Sequence, residues 1–82
     1  MTTNEQKAFI NNCIDFYQSC NANKVPCELK IGPRYICVIC KPKKKFEEHF
    51  AYDMKDSLEL CQESLMSDIE YMIEEHFKIK VL

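Results

Sequence analysis

The residues of this chain whose types and spacing can do chemistry are six cysteines, two histidines, a lysine cluster and a row of carboxylates. Cys37-Val38-Ile39-Cys40 has the Cys-x-x-Cys spacing that opens many zinc and thiol-redox sites. Its two central residues are β-branched and apolar, which favours an extended strand. In a strand, positions i and i+3 point to opposite faces, so the two sulfurs diverge. Zinc needs sulfurs converging tetrahedrally, each about 2.3 Å from the metal. No second Cys-x-x-Cys and no closely spaced histidine pair exists. Ligands would have to come from scattered residues such as Cys37, Cys40, His49 and Cys61. No metal or cofactor is therefore expected. Cys13 and Cys20 share a helical face with Phe9 and Phe16, and Cys61 falls in a second apolar stripe, where free cysteine acts as a small hydrophobe.

The lysines Lys41, Lys43, Lys44 and Lys45, with Lys30 and Arg34 nearby, can grip phosphates. No aromatic residues interleave with them for base stacking, and lysines at a hairpin tip also protect a sheet from edge-to-edge association. Nucleic-acid binding through Lys41–Lys45 is thus the alternative reading. The main reading rests on the carboxylates. At 100° per residue, Asp56, Glu59, Glu63, Glu70 and Glu74 fall within an arc of about 60° on one helix. Leu60 and Tyr71 lie at the edge of that arc. Charge steers encounter and an aromatic anchors it, so such a face suits a basic surface on a larger protein. It can also imitate a nucleic-acid backbone. Nothing in the sequence brings His49 or His76 to a cysteine, and a single glycine excludes a Gly-rich phosphate loop. No catalytic activity is expected.

These residues must be positioned by few elements, because a chain of 82 residues has room for one core and one domain, spanning 1–82. Thr2-x-x-Glu5 and Thr3-x-x-Gln6 both read as capping boxes that start a helix near residue 4. Phe9, Ile10, Cys13, Ile14, Phe16, Tyr17 and Cys20 then gather on one side of it. Asn21 to Pro26 reads as a connector. Cys27, Leu29 and Ile31 alternate with Glu28 and Lys30 as a half-buried strand, Gly32-Pro33 is a turn, and Arg34 to Lys41 reads as a central strand. Pro42 to Lys45 reads as a hairpin tip. Phe46, Phe50, Tyr52 and Met54 suggest a third strand, with Glu47 and Glu48 facing water. A short helix also fits that stretch. Asp53 is the expected N-cap of a last helix with Asp56 in its first turn; its stripe is Leu58, Cys61, Leu65, Ile69, Met72, Ile73 and His76. Residues 77–82 alternate and can form a closing edge strand.

The expected fold is α+β, in the order α-β-β-β-α with or without a closing β: a small antiparallel sheet with two amphipathic helices packed on one face. That order is shared with the double-stranded-RNA-binding domain, which the first helix, the Gly32-Pro33 turn and the hairpin resemble. The resemblance ends at the last helix. The family opens it with a basic cluster, whereas Tyr52-Asp53-Met54-Lys55-Asp56-Ser57 stands here. Shared topology without shared function is what this implies.

Charge divides the chain. Residues 1–45 carry eight Lys/Arg against three Asp/Glu, and residues 46–82 carry three Lys against ten Asp/Glu. Two surfaces of opposite sign are expected. The longest apolar run, Tyr35 to Cys40, is too short to span a membrane. No apolar signal core stands at the N-terminus, so a cytoplasmic, reduced protein is expected. The expected function is a small non-catalytic binding module that inhibits or modulates a larger nucleic-acid-handling protein. Phages and mobile elements carry modules of this class, including DNA-mimic, anti-restriction and anti-CRISPR proteins. A homodimer through strand 27–31, residues 77–82 or the first helix is also open.

Overall fold

The computed structural model describes residues 1–77. The elements run α1 (Thr3–Ala22), β1 (Cys27–Ile31), β2 (Tyr35–Lys43), β3 (Phe46–Asp53) and α2 (Leu58–Glu75). The strands form one antiparallel sheet in the order β1-β2-β3, and both helices pack on the same face of it. The expected α-β-β-β-α architecture is the observed one. The expected closing strand over 77–82 lies, beyond the buried Phe77, outside the described residues.

Helix α1 begins where the first capping box places it. The Thr2 hydroxyl accepts from Glu5 N–H at 3.2 Å, and the Glu5 carboxylate accepts from Thr2 N–H at 2.8 Å. The helix ends in a paired closure: Val25 N–H donates to the Cys20 carbonyl at 2.9 Å and Lys24 N–H to the Asn21 carbonyl at 3.1 Å. Such a closure needs one left-handed residue, usually glycine, and here Lys24 takes it with φ 63°. The chain is thereby turned straight into β1.

The β1–β2 register pairs Cys27 with Cys40, Leu29 with Val38 and Ile31 with Ile36. These residues alternate onto the helix-facing side, and Ile36, Val38 and Cys40 are fully buried there. The β2–β3 tip is tighter than the sequence suggests. Pro42 and Lys43 continue β2, Lys43 pairs with Phe46, and Lys44-Lys45 make the turn, Lys45 with φ 72°. On the open side Ile39 is nonetheless only 5% exposed. Glu28 and His49 flank it in register, and Lys41 reaches Glu28 at 3.2 Å and Glu47 at 3.8 Å.

Three expectations are corrected. Residues 46–53 are a strand, but Glu48 faces the helices with Phe50 and Tyr52, and only Glu47 faces outward. The strand's period of two puts Glu48 inside, and α2 supplies partners for it. Second, the N-cap of α2 is Ser57, whose hydroxyl accepts from Leu60 N–H at 3.2 Å. Asp53 is occupied elsewhere: Arg34 grips both its carboxylate oxygens, and Lys55 N–H donates to it at 2.9 Å. Third, Asp56 precedes α2 in the turn and is not on the helix.

The core joins Phe9, Cys13, Phe16 and Cys20 of α1 to the inner side of the sheet and to Cys61, Leu65 and Met72 of α2. Phe9 meets Tyr52 edge-on at 5.3 Å, and Phe16 meets Phe50 at 5.7 Å. The Tyr52 hydroxyl reaches across to Asp68 at 2.6 Å, so this large ring is buried without an orphaned donor.

Candidate functional site

Along α2, Glu59, Glu63, Glu70 and Glu74 are all exposed, as is Leu60 at 57%. The carboxylate row read from the sequence is therefore a surface feature, shortened by the loss of Asp56. Beside it, between α1 and α2, runs a groove of about 530 Å³. Phe16, Leu65, Ile69 and Ile73 line it with Met66, which is 55% exposed, while Asp15, Ser19 and Gln62 supply polar lining. By helical geometry Met66 and Ile73 directly adjoin the Glu59–Glu63–Glu70 row. The sequence reading missed this groove, since it depends on how far apart the helices sit.

Tyr71 is placed differently from the anchor the sequence suggested. Its hydroxyl donates to Glu48, and its ring packs against Phe50 at 6.3 Å and edge-on to His76 at 5.6 Å. That hydrogen bond to a carboxylate holds its phenol at a raised pKa of about 12. Tyr71 thus fastens α2 to β3 while remaining 39% exposed. Glu48 and His76 complete a polar corner. Both side chains are 13% exposed, and Glu48 Oε2 lies 3.5 Å from His76 Nε2. Neither of these two atoms has a hydrogen-bond partner among the described residues.

The lysines divide. Lys41 is held by Glu28 and Glu47, whereas Lys43, Lys44 and Lys45 are exposed at the hairpin end. His49 lies on the open side of the sheet, 3.1 Å from Glu47.

The cysteines, all free, also divide. Cys37 is on the open side of the sheet, away from Cys40, as the strand period requires. Cys13 and Cys61 lie toward one end of the core. Burial pushes the Cys13 thiol up to about 12, and the Cys61 thiol donates to the Asp53 carbonyl at 3.3 Å. At the other end Cys20, Cys27 and Cys40 converge, from α1, β1 and β2 respectively. Their sulfurs lie within 4.8 Å of one another, with Cys27–Cys40 at 2.7 Å and Cys40–Cys20 at 3.8 Å. Cys20 and Cys40 are buried; Cys27, on the edge strand, is half-buried. The thiols of Cys20 and then Cys40 lower the pKa of Cys27, while the same contacts raise those of Cys20 and Cys40. Among the described residues this is the one group of three or more potential ligand side chains this close together. No short motif marks it in the sequence, although Cys27 and Cys40 are equidistant from the Pro33–Arg34 bond at the turn.

Among the described residues no helix is long and apolar enough to cross a membrane. The sequence matches no family model, no curated protein and no solved structure.

Proposed function

We propose that this protein is a non-catalytic binding module that docks on a basic segment of a larger protein, one that handles nucleic acid, and modulates it. The observation that supports this reading is the adjacency on α2 of an exposed carboxylate row and an apolar groove. A partner segment with an apolar side chain flanked by Lys or Arg satisfies both. The side chain enters beside Met66 and Ile73, and the cations meet Glu59, Glu63 and Glu70. Exposed carboxylates contribute mainly to encounter rate and selectivity, so the groove must supply most of the affinity. A nucleic-acid-handling partner is proposed because a site that accepts phosphates also accepts this row.

The test is capture with the tagged protein from nuclease-treated host lysate, comparing variants. One protein should be retained by the wild type. Its retention should fall about tenfold or more with Met66→Glu, and likewise with Glu63→Lys/Glu70→Lys, the scale of one lost anchor contact. Lys43→Ala/Lys44→Ala/Lys45→Ala should leave it unchanged. Partners that vanish with nuclease, or with the lysine variant, would replace this reading with nucleic-acid binding through the hairpin. A concentration-dependent dimer abolished by Met66→Glu would assign the groove to a second copy instead.

A further inference from the structure

We propose that Cys20, Cys27 and Cys40 form a three-thiolate site for a soft divalent cation, zinc, which pins the end of α1 to the β1–β2 hairpin. The inference stands on convergence. Three elements each deliver one sulfur to a single point, and two of the sulfurs already lie 3.8 Å apart. Four sulfurs around zinc at about 2.3 Å form a tetrahedron whose edge is about 3.8 Å. The Cys27–Cys40 pair, at 2.7 Å, must open by about 1 Å to reach that edge. Rotation of the Cys27 side chain on an edge strand can supply that movement. Oxygen ligands do not compete with sulfur in this group, and an all-thiolate set selects zinc over calcium or magnesium.

The surroundings suit a bound ion. Cys20 and Cys40 are walled in by core, while Cys27, on the edge strand, is half-buried. The backbone fixes all three. Cys20 is the residue whose carbonyl closes the end of α1, Cys27 N–H donates to the Asn21 side chain at 3.2 Å, and Lys41 N–H donates to the Pro26 carbonyl at 2.8 Å. That last bond makes Cys27–Cys40 a pair without its own backbone hydrogen bonds, the type in which side chains across two strands come closest. Coordination replaces each S–H bond by a sulfur–metal bond and releases the proton to solvent. Three protein ligands leave the fourth position to water on the Cys27 side.

The test is titration of reduced, metal-free protein with Co²⁺ under anaerobic conditions, followed by displacement with Zn²⁺. Wild type should develop thiolate-to-cobalt charge-transfer absorption that saturates at one equivalent and is bleached by zinc. Cys20→Ser and Cys40→Ser should each weaken binding by more than about 100-fold, beyond the loss typical of outer-shell partners. Cys37→Ser and Cys13→Ser should leave it unchanged. Should the buried substitutions fail to fold, the wild-type and Cys37→Ser titrations still decide the matter. Absence of the charge-transfer band in wild type overturns the proposal. So does loss of the band in Cys37→Ser, or recovery of a Cys27–Cys40 disulfide from protein isolated in the presence of zinc.

Discussion

Cys13 and Cys20 occupy the same buried stripe of α1, seven residues apart, and serve two differently built ends of one core. Around Cys13 the surroundings are large and apolar: Phe9 one turn earlier on α1, the Tyr52 ring that Phe9 packs against, and Cys61 of α2. There the thiol fills space. Around Cys20 the sheet presents two further thiols; Glu48 of β3 is paired opposite Cys40, and His76 at the end of α2 lies beside Glu48, so the interior is polar and incompletely satisfied. The difference arises across the sheet and not along the helix. A residue type at a given spacing acquires a role only from what the backbone brings opposite it.

The largest effect that separates the two ends is a truncation at the apolar one. Phe9→Ala removes a fully buried ring in contact with Tyr52 and should cost about 3–5 kcal/mol in urea unfolding, with or without zinc. Next comes ligand linkage at the thiol end. Free zinc held at about 100 times its dissociation constant should add about 2.7 kcal/mol to wild type and nothing to Cys40→Ser. Cys61→Ser should keep the full increment, and an equal loss in both variants would erase the distinction. A smaller effect tests how polar groups are handled in the apolar end. Tyr52→Phe leaves the Asp68 carboxylate partly buried without its donor and should cost about 1–2 kcal/mol by thermal unfolding. The smallest is at the rim. Arg34 holds the Asp53 carboxyl down at about 2, below its ordinary value. The contribution of that pair is therefore complete above about pH 4 and is lost as pH falls through about 2. Arg34→Ala should flatten this acid limb by lowering stability slightly at neutral pH, with the two proteins converging below about pH 2; the neutral-pH loss is small because the pair is largely exposed.

Local signals were legible. Thr2 and Glu5 announce the start of α1, alternation announces β1, and the β-branched run announces β2; each rests on residues within a few positions of one another. What was not legible depends on distant partners. Asp53 reads as a helix cap until Arg34, 19 residues earlier, is seen to claim it. Glu48 reads as solvated until Tyr71 and His76 of α2 arrive beside it. Tyr71 reads as a free anchor for the same reason. The carboxylate row of α2 needed only helical period and was placed correctly, apart from Asp56. The thiol group needed the turn at Gly32-Pro33 to be used as a ruler, pairing 27 with 40, and then the end of α1 to be laid over that pair.

The closure of α1 through Lys24 has a consequence for the order of assembly. Cys20, Cys27 and Cys40 are brought together by one chain reversal and one hairpin, spanning separations of 13 and 20 residues between contacting sulfurs. Hairpins of this kind form in about 1–10 μs, and short closures carry little extra loop entropy. By contrast, fastening the ends of the molecule requires partners 23 and 53 residues apart, Tyr71 with Glu48 and Met1 with Met54. On a chain emerging from the ribosome, all three sulfurs are present once residue 40 has been added, before any of α2 has been made.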